Sequence, residues 1–235
     1  MGGYRCRRAT VANSQCSNQY VSANGDLILP WEYSQTKDDG VNGVFPEFFY
    51  GFYNDDHNIS IDVGVMYRGT SGWRVFAYGD SMQDPFNTEH SISLSPGQKI
   101  EIAAYVGGTD QLVCRVNGKE YVFPMVSGHS ANIKKYGCQI NRELNLVSQS
   151  VANSCSVLKT GSYFTGASWG NTTLEHKYCG YVFMDDSNSV YDNNMDKDDS
   201  TIYDSACIIQ SHVNTGSGIY DYVSIDFRKR SQCRN

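Results

Sequence analysis

At 235 residues the chain is long enough for one all-β domain or two small ones, with a sizeable buried core. Its net charge is −6, and its basic residues cluster at the two ends (Arg5, Arg7 and Arg8; Arg228, Lys229, Arg230 and Arg234) without forming the basic face that a nucleic-acid binder needs. Aromatics make up 13%, with 17 Tyr, 22 Gly and 5 Pro, which suits strands joined by Gly and Asn turns; no apolar run approaches the ~20 residues of a membrane-spanning helix.

In chain order, residues 1–24 are polar, carry Cys6 and Cys16, and read as an N-terminal arm. MGGYRCRRAT has no apolar stretch of the kind a secretory leader needs, so the sequence reads as a mature form or as one whose Met1-Gly2-Gly3 was added. Residues 26–33 are apolar but contain Pro30, the mark of an edge or broken strand. After a polar loop, 44–53 is an apolar and aromatic run of the kind covered on both faces. Residues 58–68 alternate: Ile59, Ile61, Val63, Val65 and Tyr67 share a core face, and the opposite face carries Asp62 at mid-strand, where Asp is depleted. A turn at 69–72 leads into a strand at 73–78.

A loop with Pro85, a short strand at 90–95 and a Pro96-Gly97 turn follow, then a clean alternation over 99–106. Asn117-Gly118 between two strand-like runs marks a hairpin over 111–123. Residues 126–135 read as a linker. Residues 138–149 alternate again: Cys138, Ile140, Arg142, Leu144 and Leu146 lie on one side, Gln139, Asn141, Glu143, Asn145 and Val147 on the other. Strands are expected at 161–175, 177–184 and 219–227, with an acidic loop over 185–204 and a short apolar piece at 207–213. No window shows a convincing helical period. About ten or eleven short strands separated by turns point to an antiparallel two-sheet sandwich, a jelly roll, with 25–235 as its single domain.

Eight cysteines (Cys6, Cys16, Cys114, Cys138, Cys155, Cys179, Cys207 and Cys233) include no Cys-x-x-Cys pair. The even count favours four disulfides and an oxidising compartment, with the pairing open. Acceptor triplets for N-glycosylation at Asn58 and Asn171 fit the same secreted, extracellular setting. No Gly-x-Ser-x-Gly elbow is present, and the five histidines sit in loops or at strand ends.

Three constellations remain. Asp62 and Glu143 each lie mid-strand on a polar face, and paired carboxylates can divide into one acid and one base. A separation of ~5 Å would suit a retaining glycosidase and ~6.5–9.5 Å an inverting one. Asp192, Asn194, Asp196 and Asp198 alternate oxygen ligands as calcium requires, but Lys197 and Tyr203 stand where an EF-hand needs Gly and Glu. Trp31, Tyr33, Tyr50, Tyr53 and Tyr105, with Tyr220 and Tyr222, are candidate rings for stacking on sugars.

Three fragments carry a family likeness. Ile61-Asp62-Val63-Gly64-Val65 resembles the eqolisin (glutamic peptidase) strand that reads apolar-Gln-x-Gly-Val, with Asp62 at the position of the catalytic Gln. Residues 94–100 resemble that family's turn into a long strand. Arg142-Glu143-Leu144 resembles the strand with its catalytic Glu, followed by 161–169 in place of its closing strand. The resemblance implies a concanavalin A-like sandwich and acid peptidase chemistry. The departures are Asp62 for Gln, Trp73-Arg74-Val75-Phe76 for the family's aromatic stretch, the cysteines, and the tail after Asp185. With the catalytic match degraded, the leading expectation is a secreted glycan-binding or surface/structural module whose partner is a glycan or extracellular polymer. The alternatives are an eqolisin-like acid peptidase or other hydrolase using Asp62 and Glu143, and a self-associating filament or adhesin subunit that lends its N-terminal arm to a neighbour. No cofactor is expected beyond the candidate calcium.

Overall fold

The computed structural model describes residues 2–11, 18–34, 44–85, 88–148, 162–185, 189–192, 208–214 and 219–226. Two antiparallel sheets face each other. The first orders β14 (Ser189–Asp192), β1 (Gly2–Val11), β11 (Gln139–Ser148), β4 (Val44–Asn54), β5 (Ile59–Tyr67), β6 (Trp73–Tyr78) and β7 (Glu89–Ser91). The second orders β10 (Lys119–Pro124), β9 (Gln111–Val116), β8 (Lys99–Val106), β2 (Tyr20–Ile28), β12 (Tyr163–His176), β16 (Ile219–Asp226) and β15 (Ile208–Asn214). Two short strands, β3 (Glu32–Tyr33) and β13 (Gly180–Phe183), also pair with β12.

The alternation over 58–68 holds: Ile59, Ile61, Val63, Val65 and Tyr67 all enter the core between the sheets. They meet Phe48, Tyr50 and Phe52 of β4 and the Leu27, Ile100, Phe164 and Trp169 side chains of the second sheet. Phe48 stands edge-on to Phe164 at 5.2 Å, one of the contacts that lock sheet to sheet. As expected, β4 is covered on both faces, because a second apolar cluster of Phe45, Phe49, Met66, Phe76 and Tyr78 forms on the outer side of the first sheet.

The N-terminal arm is corrected. Gly2–Val11 is an inner strand paired with β11 on one side and β14 on the other, and Tyr20–Ile28 runs through the middle of the second sheet. Ladder pairing is a backbone property, so the polarity of this stretch did not disclose it. One edge of β1 is paired along its length with β11, and the other is paired with β14 over Arg8–Val11, so the strand belongs to this chain's own sheet. Pro30 stops β2 but does not place it at an edge. The linker over 126–135 is also corrected. It holds α1 (His129–Tyr136), bounded by Gly128 and Gly137 at φ 85° and 74°. At eight residues and with only Ser130 and Ile133 buried, it is too short to show a helical period.

The expectation of four bridges is corrected at two positions. Cys114 and Cys138 are unpaired thiols sealed in the core. Burial pushes the Cys138 thiol up to about 12 and Cys114 higher still, so neither forms a reactive thiolate. Cys179 is disulfide-bonded; Cys16, Cys155, Cys207 and Cys233 lie outside the described residues. Thiol titration should find Cys114 and Cys138 unreactive in the native protein and should release at least these two thiols on unfolding without reductant. No thiol after unfolding would contradict this.

Candidate functional site

Strand register assembles the site on the outer face of the first sheet. Residues paired across strands point to the same side, so one row runs Asn141, Gly51, Asp62, Tyr78. The next runs Glu143, Phe49, Gly64, Phe76, Glu89, and a third runs Asn145, Glu47, Met66, Arg74, Ser91. Asp62 and Glu143, each on the non-core side that alternation predicts for its strand, therefore share a face. They are not immediate neighbours: with β4 between them and a two-residue offset, their Cα atoms stand about 12 Å apart by strand spacing.

The nearer acidic neighbour of Glu143 is Glu47, its diagonal partner on β4 at about 7–8 Å between Cα atoms. Glu47 is 6% exposed and Glu143 fully buried. Burial, then the charges of Asp62 and Glu143, push the Glu47 carboxyl well above the usual carboxylate range, against the opposing pull of Arg68. The Asn145 amide donates to Glu143 Oε2 at 2.8 Å, which fixes the orientation of that carboxylate. Sequence reading missed Glu47. The signal was present, as the one charged residue inside the apolar run VFPEFFYGFY.

Two glycines shape this face. A Cβ on Gly64 would fall 2.0 Å from the Phe48 carbonyl oxygen and 2.6 Å from the Phe49 Cα, so β4 and β5 approach there as only glycine permits. A Cβ on Gly51 would meet the Tyr53 ring at 2.4 Å. That ring lies over Gly51 and its hydroxyl donates to Asp62 Oδ1. Tyr53 also lines a cavity of about 300 Å³ with Asn18, Asn54, Asp55, Asp56 and Gln139, which adjoins the Asp62 end of the face. At the opposite end Arg68 pairs with Glu89 at 2.6 Å, donates to the Tyr78 hydroxyl at 3.0 Å and lies over the Phe45 ring. Tyr78 in turn donates to Glu89, and burial raises its phenol.

Arg142 is on the other side of β11, between the sheets. It pairs with Asp221 at 2.5 Å, both side chains 2% exposed, and donates to Thr172 Oγ1 at 2.7 Å. Nearby, the Trp169 indole donates to the Tyr50 hydroxyl at 3.1 Å.

The candidate sugar-stacking rings do not gather at one place, although Tyr220 and Tyr222 stack on each other at 6.4 Å. Tyr50 is buried in the core, a correction that follows from β4 being covered on both faces. Tyr53 belongs to the acidic face. Tyr33 lines a cavity of about 530 Å³ with Tyr67, Trp73 and Leu94, and Tyr105 lines another on the second sheet. Trp31 is 67% exposed, its ring lying against Gly97 and Gly166. Of the calcium ligands, Asn194, Asp196 and Asp198 lie outside the described residues and Asp192 ends β14. Among the described residues no cluster of His, Cys, Asp or Glu is arranged to hold a metal ion. Asn58 is exposed on the turn before β5, whereas the Asn171 amide nitrogen donates to Asp26 at 2.7 Å.

No protein-family model and no curated protein matches the chain. Solved structures do. Scytalido-glutamic peptidase with a peptide-based transition-state analog aligns over 93% of this chain and 98% of its own, at 11% identity and a TM-score of 0.52. SCP-B, a member of the eqolisin family of peptidases in a complex with the tripeptide Ala-Ile-His, aligns over the same shares at 11% identity and a TM-score of 0.50. A laminarinase from Flavobacterium sp. UMI-01 aligns over 94% of this chain and 77% of its own, at 13% identity and 0.38. The resemblance to the eqolisin sandwich read from three fragments thus holds at the level of the fold.

Proposed function

We propose that the chain is a hydrolase whose acid and base are Glu47 and Glu143, with peptides as its substrates. The observation that carries this is the burial of Glu47 diagonal to Glu143, with the Glu47 carboxyl held toward its neutral form. Burying several carboxyl groups on one face is costly, and such clusters recur where chemistry needs a shifted acid. Glu143, oriented by Asn145, takes a proton from the attacking water. Glu47 gives its proton to the departing nitrogen, so the pair still holds one proton, now on Glu143, and its transfer back to Glu47 through solvent restores the starting state. Asp62, held by Tyr53, borders the pair and adds to the charge that keeps Glu47 protonated. The peptide substrate is supported by the fold shared with the two peptidases and by the apolar strip of Phe45, Phe49, Met66 and Phe76 beside the acids. With Glu143 fully buried, the face must open to admit a chain.

Release of peptides from a denatured protein, followed from pH ~3 to ~8, tests the reading. Cleavage should fall toward the alkaline end, where the limb of the profile marks the loss of the Glu47 proton. Absence of cleavage across the whole range would overturn it.

On the glycan-binding or surface-module reading, a specific support is the exposed Trp31 ring seated on Gly97 and Gly166. The setting we propose is secreted and oxidising, on the strength of the Cys179 disulfide, with the exposed Asn58 as the better-placed glycan acceptor.

A further inference from the structure

We propose that the outer face of the second sheet carries a separate groove that binds an anionic saccharide. Tyr181 pairs with Glu175, Glu175 with Ser22, and Ser22 with Tyr105, so these side chains form one row across β13, β12, β2 and β8. Small residues, Ser22 and Ala103, floor a cavity of about 490 Å³, and the tyrosines rise on either side of it. Two rings above a floor with hydroxyl and amide groups suit a sugar, whose C–H faces stack while its hydroxyls bond below. The polar groups are held in place. Ser22 Oγ donates to Glu175 at 2.9 Å, and the Tyr105 hydroxyl donates to Glu120 at 2.5 Å. Asn24 is exposed on the floor.

The charge on the sugar follows from the lining. Arg115, Lys134 and Lys177 border the cavity against Glu175, in a chain whose net charge is −6. Arg115 pairs with Glu101 at 3.0 Å, yet its Nε is out of solvent and meets no acceptor among the described residues. Lys134 approaches from α1 and bonds the Gly107 carbonyl at 3.0 Å, and Lys177 Nζ donates to the Lys135 carbonyl of the same helix. A carboxylate or sulfate on a sugar ring would enter a lining that sets three cations against one carboxylate. None of these residues belongs to the acidic face of the first sheet.

The test is affinity electrophoresis of the whole chain through gels holding polygalacturonate, dextran sulfate, neutral dextran or polyglutamate. Retardation by polygalacturonate or dextran sulfate is expected, and the two together show whether carboxylate or sulfate is preferred. Tyr181→Ala, at a side chain 72% exposed, should keep its melting temperature and bind about tenfold more weakly. Arg115→Gln should bind about tenfold more weakly and show a flatter salt dependence. No retardation by either anionic polysaccharide would overturn the proposal, as would unchanged binding by Tyr181→Ala. Equal retardation by polyglutamate would show that charge alone acts, and equal retardation by neutral dextran that charge plays no part; either result overturns it.

Discussion

Replacing Glu143 by Gln should lower peptide hydrolysis by about 10²–10⁴-fold, the contribution of a positioned base, with little loss of stability. The amide keeps the shape of the carboxylate and can still meet Asn145, but it cannot accept the proton of the attacking water. Glu47→Gln should lower the rate comparably and should also erase the alkaline limb of the pH profile, because the group whose ionisation causes that limb is gone. Asp62→Asn should act more weakly. Asp62 stands one strand further from Glu143 than Glu47 does, and its effect runs through the charge it places near Glu47. If Glu143→Gln cleaved at the wild-type rate, the assignment of the base would fail.

Replacing Arg142 by Met should cost about 3–5 kcal/mol of folding stability, read as a lower urea midpoint at unchanged slope. The guanidinium and the Asp221 carboxylate lie in the interior between the sheets, each 2% exposed. Taking away the cation leaves the carboxylate in a medium that solvates it poorly. The double change Arg142→Met with Asp221→Leu should recover much of the loss, since a buried pair is often replaceable by apolar groups of similar volume. A single variant as stable as the parent would mean that the pair is better solvated than its burial indicates.

The fold was readable where side chains report on the strand. Alternation over Ile59–Tyr67 named its core face residue by residue, and Asn117-Gly118 placed the hairpin between β9 and β10. The same alternation put Asp62 and Glu143 each on the non-core side of its strand, and the register through β4 joins those sides into one face. What escaped was set by partners distant in sequence. β1 is a strand because β11 and β14 flank it, which nothing in its own polar run announces. Glu47 acquires its character from Glu143, almost a hundred positions away, through the register of β4 against β11. Counting cysteines could not tell that Cys114 and Cys138 are fixed in the core without a bridging partner. The groove on the second sheet needs β13, β12, β2 and β8 in register, an order unlike their order in the chain.

The raised Glu47 carboxyl has a definite sign in stability. Above its ordinary value of 4.5 the unfolded chain releases this proton while the folded chain retains it. The stabilisation is therefore full below that value and is lost as the pH rises through the higher folded value. Glu47→Gln should flatten this part of the stability curve. The most direct measurement is the infrared difference spectrum at neutral pH between the parent and Glu47→Gln. A protonated carboxyl band in the parent, missing from the variant, is the result expected of an acid poised beside Glu143. A difference spectrum showing only the loss of an ionised carboxylate would contradict it.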